Sequence, residues 1–206
     1  NYLSKYDTYN TYQVDTADDN YKNFVEVSPR KNHQEYEENY EPVGVSSCTG
    51  STTVILCGAS AISGIVLRVL QELNNSDTKI LYIKPRDLET SQLQKTRHKI
   101  TNQILQQYAR SERLGEFMIV DNTLVESLIT EISLVDFWSP INQIIGDTFH
   151  MINVLANTEP LLKSSNEVPN TAKISTFSLV DFENSDEKMF YDMEHPRAKN
   201  YYFALG

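Results

Sequence analysis

The spacing of hydrophobic residues changes twice between residues 52 and 83, and these changes predict a strand, a helix and a second strand. Residues 52–57 are apolar and largely β-branched without polar alternation, which is typical of a central parallel strand covered on both faces. Apolar residues then recur at helical spacing over residues 62–73. Asn74 and Asn75 end that pattern, and residues 79–83 again read as a strand. We therefore predict a βαβ unit with a parallel crossover connection.

The alternation of strands and helices continues towards the C-terminus. Residues 88–108 carry apolar positions at helical spacing, and residues 116–120 form the next apolar strand pattern. Asp121 and Asn122 follow at its carboxyl end, where open α/β sheets bind ligands. Ser139 as N-cap and Pro140 as first residue then predict a long helix that ends near Ala156. A polar linker over residues 157–171 precedes a further strand pattern at 173–181.

Length and composition favour one domain of the α/β class with a mostly parallel, Rossmann-like sheet flanked by helices. A chain of 206 residues with 40% hydrophobic content can bury a substantial core. We place that core at residues 47–160. Residues 1–46 are a polar, acidic and tyrosine-rich N-terminal part, and residues 161–206 are a C-terminal extension.

The charge balance excludes several classes of partner. The formal net charge of -10 opposes binding to nucleic acid or to anionic membranes, which both select for clustered Lys and Arg. No apolar run approaches the length of a membrane span, and we expect a cytoplasmic protein. Cys48 and Cys57 are too few for a disulfide scaffold, and we expect the Cys57 thiol to be buried in its strand. The histidines do not lie at metal-ligand spacing, so we predict no metal site of the protein's own.

Residues 58–64 join the first strand of the βαβ unit to its helix. Such a junction directs backbone N–H groups and the positive end of the helix dipole towards an anion. Neither G-x-G-x-x-G nor G-x-x-x-x-G-K-[ST] is present, and small residues also serve to let the chain turn tightly. The pattern leaves two readings open, an anion-binding turn and a purely structural one.

The order of four segments resembles the nucleotide-binding domain of the tubulin and FtsZ superfamily, including its phage and plasmid members. In chain order the segments are TVILCGASAISG, YIKP, FMIVDNTLV and ISLVDFWSPINQII. They resemble the family's glycine-rich phosphate loop, the next strand, the strand with its polar turn and the start of the long central helix. The resemblance implies a tubulin/FtsZ-type GTPase domain whose central helix lies near residues 140–156.

The same resemblance implies a set of nucleotide-binding residues. In the phosphate loop, Gly58, Ser63 and Gly64 match the family pattern, while Ala59, Ser60, Ala61 and Ile62 depart from it. The remaining positions implied to contact the nucleotide are Glu89, Asn122, Trp138, Asn142 and Gln143. Asn122 matches a residue near the ribose and Trp138 an aromatic that stacks on the guanine. Gln143 replaces a family aspartate that reads the base. The implied ligand is GTP or GDP, with Mg²⁺.

The implied chemistry is GTP hydrolysis within an assembly of subunits. Asp181 and Asp186 resemble the acidic loop that family members supply to the nucleotide of the next subunit. The family's first glycine-rich turn has no counterpart here, because no glycine precedes Gly44. The leading hypothesis is therefore a divergent protein that self-associates or joins other assembly subunits and binds GTP, and the sequence leaves open whether it also hydrolyses GTP.

Two alternatives stay open. One is a structural protein that keeps the fold for assembly and binds no nucleotide. The other is a Rossmann-type dinucleotide enzyme that uses Gly58 and Gly64, with Arg86 placed to meet a 2′-phosphate.

Overall fold

A mixed set of strands and helices forms the described part of the protein. The computed structural model describes residues 2–17, 21–74, 76–86, 91–129, 135–159, 173–181 and 183–202. In chain order the elements are β1 (Gln13–Asp15), β2 (Phe24–Glu26), α1 (His33–Glu38), β3 (Thr53–Cys57), α2 (Val66–Leu73), β4 (Lys79–Lys84), α3 (Gln92–Arg110), β5 (Glu116–Asp121), α4 (Asn122–Glu126), α5 (Trp138–Ala156), β6 (Ile174–Ser175), β7 (Ser178–Asp181) and β8 (Asp186–Met189). Two 3₁₀ segments, Tyr2–Lys5 and Ala61–Ile65, precede β1 and α2.

Four parallel strands form the central sheet in the order β3-β4-β5-β6. β4 and β5 occupy its interior, which explains why their sequences are apolar without alternation. β6 comes from the C-terminal part of the chain and pairs only through Phe117 and Met118 of β5. The α/β class and the parallel sheet are thus confirmed.

Helices cover both faces of β4 and β5, because alternate residues of a strand point to opposite faces. On one face the strands pack against α2 and α3, in a cluster that contains Val66, Ile80, Tyr82, Leu105, Ala109, Phe117 and Ile119. On the other face they pack against α4 and α5, in a cluster that contains Leu81, Met118, Val120, Val125, Ile141, Ile145 and Phe149.

β3 lies at the edge of this sheet, so the prediction of a central strand covered on both faces is wrong. Val54 and Leu56 pack with the helices on one side. On the other side Ile55 is 43% exposed and Cys57 is also exposed. The prediction of a buried Cys57 thiol is therefore wrong as well. An apolar run cannot reveal an open face when the residues on that face are themselves Ile and Cys.

The helix predicted over residues 62–73 begins differently from the prediction. Its first turn is the 3₁₀ segment Ala61–Ile65, and α-helical geometry starts at Val66. Apolar residues three apart suit both helix types, so periodicity alone could not separate them. Asn74 adopts a left-handed conformation with φ of 43° at the C-cap, which confirms the predicted helix end.

α5 starts one residue before the predicted cap. It runs from Trp138 to Ala156 with Phe137 at the N-cap, so Ser139 and Pro140 lie inside its first turn. The first N–H groups of a helix have no partner within it, and proline is therefore tolerated at any of these positions. The predicted end at Ala156 is confirmed.

The N-terminal part of the chain packs against α2 and the turn that precedes it. The shared apolar cluster contains Val27, Tyr36, Val43, Val45, Ile65 and Val69. The carboxylate of Glu72 on α2 accepts N–H groups from Val43, Gly44 and Ser46 at 2.7, 3.0 and 3.0 Å. Residues 43–46 are thus bound to α2 by both apolar packing and charge-assisted hydrogen bonds.

Three tyrosines attach the first residues of the chain to α5, and we call this contact the tyrosine clasp (Tyr2, Tyr6 and Tyr9 with Asp147 and His150). The Tyr6 ring stacks on His150 with centroids 3.7 Å apart, and the Tyr9 hydroxyl lies 3.0 Å from His150 Nδ1. The hydroxyls of Tyr2 and Tyr6 donate to Asp147. The hydrogen bond from Tyr6 lowers the pKa of Asp147.

The strand predicted over residues 173–181 is divided into two. β6 joins the central sheet, whereas β7 pairs with β8 in an antiparallel hairpin. Phe177 lies between β6 and β7 and is buried, because its side chain belongs to the cluster in which β4 and β5 pack against α4 and α5. The hairpin meets the sheet where Asp121 N donates to the carbonyl of Phe190 at 2.6 Å.

Candidate functional site

The turn at residues 58–64 leaves the carboxyl end of β3 and lies against α1. Gly58, Ala59, Ser63 and Gly64 are buried, and Ser60 is exposed. The Ser63 hydroxyl, predicted to contact a phosphate, donates to the Ser60 carbonyl at 2.7 Å. This hydroxyl therefore stabilises the turn itself.

Close packing accounts for both glycines of the turn. A Cβ on Gly58 would lie 1.7 Å from the Tyr82 hydroxyl oxygen. A Cβ on Gly64 would lie 2.3 Å from the carbonyl oxygen of His33 on α1. The Tyr82 hydroxyl also lies 2.7 Å from His98 Nδ1, and burial raises the pKa of the Tyr82 phenol. Only glycine fits at either position with the neighbours as they stand.

The carboxyl ends of β4 and β5 bring a charged pair together. Lys84 and Asp121 end their strands in register, and Lys84 Nζ lies 2.7 Å from Asp121 Oδ2. The other carboxylate oxygen of Asp121 accepts the N–H of Thr123 at 2.9 Å and so caps α4. Both side chains are largely buried. The ion pair thus fixes the polar edge between the two interior strands.

Asn122 follows directly and is 7% exposed. Its Oδ1 is a buried acceptor that has no hydrogen-bond partner among the described residues. Buried polar atoms are nearly always paired, because an unmade hydrogen bond in the interior is unfavourable by about 1–3 kcal/mol. The position predicted to lie near a ribose therefore presents an acceptor that a hydroxyl or amine could satisfy.

A series of contacts connects this edge to the start of α5. Arg86 Nε lies 2.7 Å from Glu126 Oε2, and its guanidinium carbon lies 4.6 Å from the centre of the Phe137 ring. The rings of Phe137 and Trp138 are perpendicular, with centroids 5.1 Å apart. Trp138 is 45% exposed, so part of its side chain is accessible to a ligand. Arg86, predicted to meet a 2′-phosphate in the dinucleotide alternative, forms an ion pair with Glu126.

Asn142 and Gln143 lie in the second turn of α5 and are both exposed. Asn142 lines a groove of about 590 Å³ between α5 and the sheet, and Gln143 is not part of its lining. We call this the β3 groove; it is lined by Tyr2, Leu3, Ile55, Leu81, Ile83, Ser139, Asn142, Ile145 and Gly146. The structure thus places Asn142, but not Gln143, in a concave surface beside the sheet.

Asp181 and Asp186 face each other in the β7–β8 hairpin next to its turn. Asp181 accepts hydrogen bonds from the side chain of Asn184 and from the N–H groups of Glu183 and Asn184. The hydrogen bond from the Asn184 side chain is the largest cause of a lowered Asp181 pKa. Both aspartates are exposed, and Asp186 Oδ2 lies 3.8 Å from Lys188 Nζ. These contacts assign Asp181 a role in shaping the turn.

Glu89, implied to lie near the nucleotide, falls at residues 87–90, outside the described residues. No group of three His, Cys, Asp or Glu side chains in the described ranges is placed to hold a metal ion. None of the helices in those ranges combines the length and apolarity that crossing a bilayer requires.

Sequence reasoning missed the pairing of Lys84 with Asp121 and the ion pair of Arg86 with Glu126. The available signal was that Lys84 and Asp121 each directly follow a predicted strand and that the carboxyl ends of parallel neighbours meet at one edge. Neither a protein-family model nor a curated protein matches this sequence.

Proposed function

We propose that this chain is a divergent tubulin/FtsZ-like protein that binds a purine nucleotide and acts by joining a larger assembly. The observation that carries the nucleotide part is the buried Oδ1 of Asn122, which has no hydrogen-bond partner among the described residues and lies beside the Lys84–Asp121 pair. It lies at the carboxyl edge of the interior strands, where open α/β sheets receive their ligands. The exposed Trp138 supports the same location.

In this proposal each residue has a defined role in binding. Trp138 stacks on the purine, and the exposed amide of Asn142 hydrogen-bonds to the edge of the base. Asn122 accepts a hydrogen bond from a ribose hydroxyl. The phosphates meet the turn that begins at the exposed Ser60, where the first N–H groups of the Ala61–Ile65 segment carry partial positive charge. Because Asp181 is engaged in its own turn, the proposal covers binding and leaves hydrolysis aside.

The single tryptophan of the chain makes this proposal directly testable. Titration with GTP, ATP and CTP should quench the Trp138 fluorescence, with both purines binding more tightly than CTP. Anion-exchange chromatography of the denatured protein should recover a bound purine nucleotide. Unchanged fluorescence with every nucleotide, together with an empty protein, would refute nucleotide binding.

A pair of variants on α5 tests the position of the base. Trp138→Ala should weaken the binding of labelled GTP by about fivefold or more, because stacking on an aromatic contributes about 1–3 kcal/mol per base. Met151→Ala is the matched control, since Met151 lies on the same helix and is 48% exposed. Equal GTP affinity of the two variants would place the base elsewhere.

A second candidate function is favoured by the packing of the turn. Gly58 and Gly64 are both required by neighbouring atoms of the protein, and the Ser63 hydroxyl is internally bonded. These contacts support an assembly protein that binds no nucleotide. In that case sedimentation velocity should detect association of the chain that GTP and GDP leave unchanged, and Trp138→Ala should not alter it.

A further inference from the structure

The outer edge of β3 presents a row of backbone groups that pair with no strand in the described part of the chain. Lys79 N donates to Thr52 O at 2.9 Å and Gly58 N donates to Ile83 O at 3.2 Å, which sets the parallel register with β4. In this register the N–H and C=O groups of Thr53, Ile55 and Cys57 point away from β4, and of these the Cys57 C=O accepts the N–H of Ser60 at 3.4 Å. Among the described residues, β4 is the one strand that pairs with β3.

This edge lacks the usual protection against pairing. Natural edge strands carry charged residues, proline or bulges, or are very short. The opposite edge strand of this sheet, β6, consists of just Ile174–Ser175. In contrast, β3 has five residues, and residues 46–67 around it contain no Asp, Glu, Lys, Arg or Pro. The sequence around β3 therefore lacks the charged residues and proline that oppose pairing at an edge.

The β3 groove lies on the same side as the exposed side chains of the strand. Ile55 forms part of its wall and Leu81 and Ile83 of β4 continue that apolar surface, with α5 and the Tyr2–Lys5 segment opposite. None of the described residues that line the groove is charged. A strand added to the edge would direct every second side chain towards this space.

We propose that the β3 edge binds an extended segment of a partner protein as an added strand. The segment would hydrogen-bond to Thr53, Ile55 and the N–H of Cys57 and place bulky apolar side chains, at alternate positions, in the β3 groove. Backbone hydrogen bonds would supply affinity and the groove would select the side chains. A helix could fill the groove but could not pair with the edge. This inference does not depend on nucleotide binding.

The dimensions and charge of the chain argue against a second copy as the occupant. If a second copy added its own β3 in the antiparallel direction, it would direct only Thr53, Ile55 and Cys57 towards this face of the sheet. The two grooves, each of about 590 Å³, would then join into one cavity and neither would be filled. Each copy also carries a formal charge of -10, which opposes association at low salt. The same charge favours a partner segment that is flanked by basic residues.

A designed peptide tests the proposal on the full chain. The probe has about eight residues, with Phe and Leu at alternate positions, Thr between them and Lys at both ends, and it carries a fluorescent label. Fluorescence anisotropy should detect saturable binding. The same peptide with N-methyl groups on the amides of one edge should bind about tenfold more weakly, because it cannot donate hydrogen bonds there.

Two variants locate the site on the protein. Ile55→Lys should weaken peptide binding by about tenfold or more, because it introduces a charge into an apolar groove. Ile100→Lys is the matched control, since Ile100 on α3 is also 43% exposed. In a Cys48→Ser background, saturating peptide should slow the alkylation of the exposed Cys57 thiol.

Several results would overturn the proposal. They are equal binding of the N-methylated peptide, equal effects of Ile55→Lys and Ile100→Lys, and unchanged Cys57 reactivity in the complex. Failure of the peptide to bind up to about millimolar concentration would also overturn it. So would a dimer in sedimentation velocity that Ile55→Lys dissociates, because the occupant would then be a second copy.

Discussion

Replacing Gly64 with alanine should reduce the stability of the folded protein, because the added Cβ would collide with α1. That atom would lie 2.3 Å from the carbonyl oxygen of His33 and 3.2 Å from its carbonyl carbon. Real Cβ atoms essentially never approach another heavy atom closer than 3.0 Å, so α1 has to move by at least about 0.7 Å. This movement disturbs the buried Tyr36 and the 3.0 Å contact of His33 Nε2 with Thr101 Oγ1.

The expected loss can be worked out from two opposing effects. Overpacking of this kind destabilises by about 1–3 kcal/mol. Replacing glycine with alanine also reduces the conformational freedom of the unfolded chain, and this stabilises the folded state by about 0.4–1 kcal/mol. We therefore expect the free energy of unfolding of Gly64→Ala to fall by about 1–2 kcal/mol. For a chain of this length the melting temperature should drop by about 2–4 °C per kcal/mol.

Urea unfolding followed by far-UV circular dichroism measures this loss, and labelled GTP binding should be measured on the same samples. Ser60→Ala is the control in the same turn, because Ser60 is exposed and its side chain makes no capping hydrogen bond. That variant should stay within about 0.5 kcal/mol of the natural chain. An unchanged urea midpoint for Gly64→Ala with a fall in GTP affinity would refute the packing argument and assign Gly64 to phosphate binding.

Two further predictions concern titration and loop anchoring. Burial lowers the pKa of His33 below its ordinary value of 6.5. At a pH between the folded and the unfolded pKa, the unfolded chain therefore binds more protons than the folded chain. The free energy of unfolding should consequently fall as the pH decreases from about 6.5 towards the folded pKa. Urea unfolding between about pH 5.5 and 7.5 should show a flatter pH dependence of the free energy of unfolding for His33→Gln than for the natural chain. Identical slopes would disprove the assignment. Glu72→Gln should lower the free energy of unfolding by about 1–2 kcal/mol, because it removes the charge that accepts three backbone N–H groups. The exposed Glu38→Gln on α1 is its control, and equal urea midpoints for the two variants would contradict the role of the Glu72 carboxylate.

The interior elements of the fold could be predicted from sequence because their own residues determine them. β4 and β5 are apolar on both faces, and α3 and α5 are long enough to show a helical period. The edge position of β3 could not be predicted, because strand order depends on which distant segments pair. The division of residues 173–181 at Phe177 likewise depends on a core position that only the folded chain defines.

The candidate site was predictable only where the location of a residue follows from its own local sequence. Asn122 and Trp138 lie at a strand end and a helix start, and these locations follow from local pattern. The surroundings of Gly64 do not follow from local pattern, because the atom that excludes a side chain there belongs to His33, which is far away in sequence. The partner of Lys84 depends on the β4–β5 register, which periodicity does not specify.

The tyrosine clasp has a consequence for synthesis of the chain on the ribosome. Tyr6 and the Asp147 carboxylate to which it donates are separated by 141 positions in sequence. At translation rates of about 5–20 residues per second, Tyr6 therefore waits about 7–28 s before Asp147 has been added. During this interval the tyrosine rings of the first residues and the apolar side chain of Leu3 lack their final contacts. The aromatic side chains at the start of the nascent chain therefore stay exposed for longer when translation is slower.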